Sequence, residues 1–308
     1  MTISRRKMLQ GMLACGGAAI AGRMAYATTS ANATMLERPI PRSGEMLPVI
    51  GLGTYVAFDV PSSSPLLAAL GQVLQRFTDL GGSVVDSSPM YGNAEAVIGH
   101  LVADHHLRPA LFLATKVWTR GRDAGIHQME QSLARLRTDR IDLMQVHNLV
   151  DLKTQTTTIE AWQKQGRIRY SGITHYDASA YPELEKLVAT HRYDFVQFNY
   201  SLAERDAEQR LLPLAQETGT AVIINRPFAQ GELFAKTKGR PLPSWAAEFD
   251  CTSWAQFFLK YIVSNPAVTC AIPATRNPKH LNDNMAAGSD KLPDAAMRKR
   301  MVKYWESL

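Results

Sequence analysis

The sequence predicts an α/β fold: a (β/α)8 TIM-type barrel with an N-terminal β-hairpin and extra C-terminal helices. Three observations carry this expectation. Short, continuously apolar runs recur eight times, as strands buried on both faces of a parallel sheet should read. Amphipathic stretches of helical period separate them. Residues 35–308 suffice for the roughly 250 residues such a barrel takes. With 45% hydrophobic residues the chain can bury a core that needs neither disulfide nor metal.

The first 27 residues are set apart. Ser4-Arg5-Arg6-Lys7-Met8-Leu9-Gln10 precedes an apolar Gly/Ala-rich run over 11–22, and Arg23-Met24-Ala25-Tyr26-Ala27 follows. This is the basic, apolar and small-x-small order of an export signal. The run is too short to span a bilayer, which takes roughly 20 residues, so no stable membrane span is expected in the mature protein. Ala31-Asn32-Ala33 is a second cleavage option. Residues 28–34 read as a linker, and 35–308 as the barrel domain. Four basic residues and no acid lie in the leader. Setting them aside leaves 30 basic against 28 acidic residues, a balance that makes no electrostatic case for nucleic acid. Cys251 and Cys270 remain, read as unpaired buried thiols, with a disulfide as the alternative in an oxidising compartment.

A Ser43-Gly44 turn between apolar arms predicts a hairpin over 36–49. Barrel strands are expected over 49–54, 83–87, 110–116, 141–147, 169–174, 195–199, 221–225 and 268–273. Helices are expected over 66–80, 94–102, 124–136, 157–165, 181–189, 207–218 and 253–263. The first carries Leu66, Leu67, Leu70, Val73, Leu74 and Phe77 on one stripe and stops at Gly81-Gly82. An open dinucleotide-binding sheet is the rival. Gly51-Leu52-Gly53-Thr54-Tyr55-Val56 lacks its third glycine and its immediate helix. Residues 228–250, rich in Gly, Pro and Lys, read as a long functional loop.

Barrel sites form at the carboxyl ends of the strands. The last polar residues there are Asp86, Lys116, His147, Thr174 with His175, Gln197 with Asn199, and Asn225 with Arg226. Tyr91 follows the second strand. Each alone has a bland reading as cap, packing or surface charge. Together Asp86, Tyr91, Lys116 and His147 form a proton-handling set, and an Asp and a Lys on one inner rim are unfavourable unless paired. No metal is expected, since His100, His105 and His106 read as a chance cluster of histidines.

Here a family resemblance enters. Asp86-Ser87-Ser88-Pro89-Met90-Tyr91-Gly92-Asn93-Ala94-Glu95, with Gly99 following, resembles the Asp and Tyr-Gly motif of the aldo-keto reductases. Thr115-Lys116-Val117-Trp118 resembles their lysine strand, and Asp142-Leu143-Met144-Gln145-Val146-His147-Asn148 their histidine strand. Gln197-Phe198-Asn199-Tyr200, and the stretch from Ile272-Pro273 to Asp283-Asn284, resemble the cofactor-side segments. The likeness runs from about Ile40 to Asn284.

The resemblance implies hydride transfer between NADP(H) and a small-molecule carbonyl or alcohol. Tyr91 would be the general acid/base. A phenol has a pKa of about 10, and each tenfold gain in its acidity takes about 1.4 kcal/mol of preferential stabilisation of the phenolate. The Lys116 ammonium, paired with Asp86, would supply that stabilisation. His147 would orient the carbonyl, and Tyr55 and Trp118 would wall the substrate pocket. Gly53, Thr54 and Asp86 would lie under the cofactor, with Thr174, His175 and Gln197 on its carboxamide. Asn225, Arg226, Pro227, Phe228, Gly231 and Leu233, then Thr275, Arg276, His280, Asp283 and Asn284, would hold the rest.

Three departures from the family pattern stand out. Thr174-His175 replaces Ser-Asn, Asn225 replaces an aromatic that stacks on the nicotinamide, and Ala274 replaces a lysine. Arg276 and His280 remain for a 2′-phosphate, so NADP(H) is favoured and NAD(H) is the alternative. The leader resembles a twin-arginine export signal, implying the twin-arginine machinery as a partner and a periplasmic or otherwise exported location. Two functions follow: an exported reductase or dehydrogenase, or a cofactor-bound sensor or partner-binding subunit with little turnover. The second arises because nicotinamide cofactor is not expected to be regenerated outside the cytoplasm.

Overall fold

The computed structural model describes residues 34–288 and 291–308. The leader, both cleavage options and most of the linker lie outside the described residues.

A hairpin comes first. Strands β1 (Glu37–Pro39) and β2 (Met46–Pro48) pair antiparallel with Arg38 opposite Leu47. The turn needs Gly44, whose φ of +75° strains any residue with a Cβ. Eight strands follow: β3 (Leu52–Gly53), β4 (Val84–Asp86), β5 (Phe112–Val117), β6 (Ile141–His147), β7 (Ile168–Thr174), β8 (Phe195–Asn199), β9 (Ala221–Asn225) and β10 (Cys270–Ala271). They pair in chain order, each parallel to the next. Parallel bridges Ile50–Ala271 and Gly53–Ala274 bring the first strand against the last. The barrel is the one the sequence predicts. Ile40 and Leu47 of the hairpin segment cluster with Val84, Phe112, Phe195 and Ala221, the opening residues of four strands. The hairpin therefore closes the floor and leaves the carboxyl ends of the strands as the mouth.

Around the barrel run α1 (Leu67–Asp79), α2 (Ala94–Asp104), α3 (Arg122–Leu136), α4 (Leu152–Lys164), α5 (Tyr181–Val188), α6 (Leu211–Thr218), α7 (Glu232–Thr237) and α8 (Trp254–Val263). Helices α9 (Pro278–Ala286) and α10 (Ala295–Ser307) complete the chain. The first helix buries Leu70, Val73, Leu74 and Phe77, the stripe read from its period. The last is tied down by Arg298, which donates to Glu208 at 2.6 Å and to the Tyr200 hydroxyl at 2.7 Å.

Three expectations need correction. Helix α4 begins at Leu152, because the polar turn before its stripe is held by Gln155 donating to the carbonyls of Thr119 and Gly121. The stretch 207–218 is divided into a short 3-10 turn, Asp206–Glu208, and α6. Pro213 has no N–H and is tolerated only in a first turn. Residues 228–250 are not an open loop. They fold as Ala229–Gly231, α7 and Ser244–Phe249, burying Leu233, Ala246 and Phe249, in helices too short to show a period. Cys251 and Cys270 are both free and buried.

The second and third helices touch at Gly99, where a Cβ would lie 2.0 Å from the Arg135 carbonyl oxygen. Gly99→Ala should destabilise the fold by about 3 kcal/mol. A thermal melt should show Tm lower by roughly 6–12 °C, and an unchanged Tm would mean the two helices separate freely.

Candidate active site

Alternation along each strand decides what faces the mouth. The interior cluster contains Val84, Ala114, Leu143, Tyr170 at its edge, Phe195, Ala221 and Ile223. Two residues onward, the same alternation carries Asp86, Lys116, Gln145 then His147, Thr174 past Gly172, Gln197 and Asn225 to the carboxyl ends. The expected residues converge because their strands share this inward phase.

The deepest contact is an ion pair. Lys116 Nζ lies 2.5 Å from Asp86 Oδ2, with both side chains buried, and also donates to the Ser87 carbonyl at 2.7 Å. The other carboxylate oxygen, Oδ1, accepts from Gln145 Nε2 at 3.2 Å and Gln197 Nε2 at 3.0 Å. Thr54 donates its hydroxyl to the Asp86 carbonyl at 2.9 Å. Beyond the pair, the ammonium lies 5.1 Å from the centre of the Tyr91 ring. Tyr55 packs against that ring at 5.0 Å, and His147 meets it edge-on at 6.1 Å. Ser88 Oγ is 3.1 Å from His147 Nδ1 and accepts the Met90 N–H at 3.2 Å.

The electrostatics differ from the expectation in one respect. Burial pushes the Tyr91 phenol up; Lys116 pulls it down and Asp86 pushes it up again, and the net shift is upward. The ammonium alone predicts a depressed phenol. Burial of the phenol is the largest effect and exceeds the pull of Lys116, and Asp86 offsets part of that pull. Burial works against the Lys116 ammonium, but Asp86 and then Tyr91 outweigh it and hold the group charged. For His147, burial and then the Lys116 charge and His175 push the imidazole down to about 3. It is neutral at ordinary pH.

The remaining expected residues fall into two sets. Gly53 ends β3 opposite Asp86, and Thr174 donates to Gln197 Oε1 at 3.0 Å. His175 Nδ1 accepts the Asp177 N–H, and its ring stacks on Tyr176 at 5.5 Å. Asn225 ends β9. Arg226 follows at a φ of +50° and donates to the Tyr176 carbonyl at 3.1 Å. Pro227 is buried beside it, while Tyr55 and Trp118 are exposed, at 60% and 38%. Gly231 stands at the start of α7 with φ +97° and open space where a Cβ would project. Thr275 is buried, and Arg276 and His280 are exposed at the start of α9.

The other four are buried or make contacts inside the fold. Leu233 is wholly buried in the core, and Phe228 packs on Phe234 at 4.8 Å. Asp283 accepts from Gln256 at 2.7 Å, and Asn284 is buried on α9. Two further residues, Gln145 and Ser88, join the site without having been assigned to it by sequence reasoning. The first was legible from the inward phase it shares with His147; for Ser88, two residues past Asp86, no sequence signal pointed to the His147 contact.

A dinucleotide fits what is present. Asn225 Oδ1 is a buried acceptor with no donor among the described residues, and the exposed Arg276 supplies the planar cation that a phosphate ester takes.

Comparison with known proteins agrees. Residues 49–301 match the model of the aldo/keto reductase family. The chain is 31% identical over 273 residues to methylglyoxal reductase YeaE of Escherichia coli, covering 85% of this chain and 93% of that protein. An aldo-keto reductase of Klebsiella pneumoniae in complex with NADPH superposes with a TM-score of 0.75 at 26% identity, covering 88% of this chain and 96% of the other. A Klebsiella pneumoniae aldo/keto reductase in complex with NADP and acetate gives 0.73 at 26% identity, over 85% and 93%. The match along most of the barrel establishes the family: the chain belongs to the aldo/keto reductases, and so to the NAD(P)-dependent oxidoreductases.

Proposed function

We propose that the protein reduces a small carbonyl compound with NADPH, with Tyr91 as proton donor. The observation that carries this is the buried Asp86–Lys116 pair whose ammonium faces the Tyr91 ring at 5.1 Å. NADP(H) is favoured by the exposed Arg276 and by the NADP and NADPH complexes of similar proteins. When bound, it supplies the hydride.

The chain's own residues handle the proton. Tyr91 gives its phenolic proton to the carbonyl oxygen as the carbon is reduced, leaving an alcohol and a phenolate. A phenol held above its ordinary value of 10.0 remains protonated near neutrality, which suits the reductive direction. Lys116 stabilises the phenolate left behind, and Asp86, bonded on both oxygens, keeps the ammonium in place. Ser88 Oγ takes the Met90 N–H, and on this reading its own hydroxyl proton goes to His147 Nδ1, the arrangement in which that nitrogen is the acceptor. That leaves the Nε2 proton of a neutral imidazole to hold the substrate oxygen. Tyr55, packed on Tyr91, and the exposed Trp118 are the residues assigned to the substrate wall. The Escherichia coli relative is named a methylglyoxal reductase, so methylglyoxal is the first carbonyl to assay.

The leader supports a second part of the reading, export through the twin-arginine route to a periplasmic or other external location. Carried folded, the chain would leave the cytoplasm with cofactor already bound.

Three outcomes test this. With NADPH and a carbonyl panel, Tyr91→Phe should lower kcat by about 10³-fold while its NADPH Kd stays near wild type. Wild type that binds NADPH yet turns over no carbonyl would favour the sensor reading. Because His147 stays neutral down to about 3, kcat/KM for reduction should run flat from about pH 5 to about pH 8. It should fall only on the alkaline side, as the raised phenol ionises. An inflection near the ordinary histidine value would show His147 charged and exclude its assigned role. Finally, replacing Arg5 and Arg6 by Lys should leave the protein in the cytoplasm on fractionation, and undiminished export would exclude the twin-arginine route.

A further inference from the structure

Six buried side-chain polar atoms have no hydrogen-bond partner among the described residues, and three of them, on Gln145, Asn148 and Asn225, lie on or just past the barrel strands. A buried acceptor without a donor is unfavourable by about 1–3 kcal/mol, so each calls for a reason. Gln145 has one inside the chain: turning its amide to satisfy Oε1 would remove the Nε2 donor from Asp86. Asn148 lies beyond the end of β6 in a left-handed conformation, with φ +51°.

Asn225 is different. It is the last residue of β9, on the same inward phase as Ala221 and Ile223. Its Cβ therefore points to the mouth, level with Asn199 on the neighbouring strand. Asn199 cannot serve it, because its Nδ2 donates to Glu204 at 2.9 Å and its Oδ1 accepts from Tyr181 at 3.0 Å. The strand end is fixed by the next residue, Arg226, whose strained backbone is held while its guanidinium bonds the Tyr176 carbonyl.

The groups that family likeness assigns to the nicotinamide carboxamide, in contrast, each have at least one bond within the chain. Gln197 gives Nε2 to Asp86 and takes the Thr174 hydroxyl on Oε1. His175 Nδ1 takes the Asp177 N–H. Asn225 Oδ1 is thus a desolvated acceptor at the rim with no donor among the described residues.

We propose that Asn225 Oδ1 accepts a hydrogen bond from the carboxamide N–H of the bound nicotinamide and so sets the orientation of that ring. A polar anchor then stands where many relatives carry a stacking aromatic. The inference rests on the cofactor reading above and deepens it.

The test uses the mature chain and three probes: NADP⁺, its acetylpyridine analogue, which carries a methyl in place of the amide NH₂, and 2′,5′-ADP, which has no nicotinamide. Quenching of tryptophan fluorescence reads each Kd. Wild type should bind the analogue about tenfold more weakly than NADP⁺. Asn225→Leu should lose about tenfold for NADP⁺, bind the analogue as wild type does, and so cease to distinguish the two. Its affinity for 2′,5′-ADP should not change. Asn225→Ala should behave alike and replaces the leucine variant if that one fails to fold. The inference is overturned if either variant still discriminates between NADP⁺ and the analogue, if it loses 2′,5′-ADP equally, or if wild type does not discriminate. A wild type that binds none of the three probes overturns the cofactor reading itself, and this inference with it.

Discussion

Everything at the mouth depends on one buried ion pair. Moving a carboxylate and an ammonium out of water is unfavourable by several kcal/mol for each ion, and attraction compensates only when the remaining hydrogen bonds are made. Here they are made. Lys116 touches Asp86 and the Ser87 carbonyl, while two glutamines donate to the far carboxylate oxygen. Those donors come from β6 and β8, on strands that do not adjoin β4. Only a closed barrel brings four strands to one point on its axis, so the fold is a requirement of the pair and not merely its container.

The pair also decides the protonation of its neighbours. A buried ammonium favours the ionised form of the neighbouring Tyr91 phenol. An ammonium bound to a carboxylate exerts a weaker net field, and the phenol rises under desolvation. The same partly cancelled charge still keeps a second proton off the His147 imidazole, which burial already disfavours. One contact thus leaves a neutral acid and a neutral hydrogen-bond donor side by side. On the proposed reading the first gives its proton to the substrate oxygen and the second holds that oxygen in place.

Much of this was legible in the sequence, and the physical reason is the period of two. Once 141–147 is read as an inward-facing strand, His147 must end at the rim, and the same step applied to Val84 and Ala114 delivers Asp86 and Lys116. Gln145 obeys the rule as well, but a glutamine two residues below a histidine has no chemical signature of its own. Other misses share a cause: the information lies in tertiary contact. Nothing in 228–250 shows that Leu233, Ala246 and Phe249 bury, because helices of this length complete too few turns to make a stripe. The late start of α6 follows from Pro213, which was visible, yet the 3-10 turn before it is set by packing. The Tyr91 shift could not be read from residue types, since its direction depends first on how deeply the phenol is buried.

The two ends of the barrel divide stability from chemistry. At the floor, Ile40 and Leu47 fill the axis, and Arg169 spans Asp142 and Glu45 to fasten the hairpin. At the mouth the chain accepts strain. Val56 after β3, Asn148, Leu149 and Asp151 after β6, and Arg226, Ala229 and Gln230 after β9 all hold positive φ. For a branched residue such as Val56 that conformation is unfavourable in its own right. Positive-φ residues elsewhere, such as Arg137 at the end of α3, terminate helices, an ordinary use of the left-handed region. A chain that satisfied itself fully would not gather both strained backbone and unpartnered acceptors around one opening. The barrel holds them because its floor and helices over-determine the strands. Among the described residues Asn225 Oδ1 meets no donor, and on the proposed reading a ligand with an amide at one end and a phosphate at the other supplies one while Arg276 meets the phosphate.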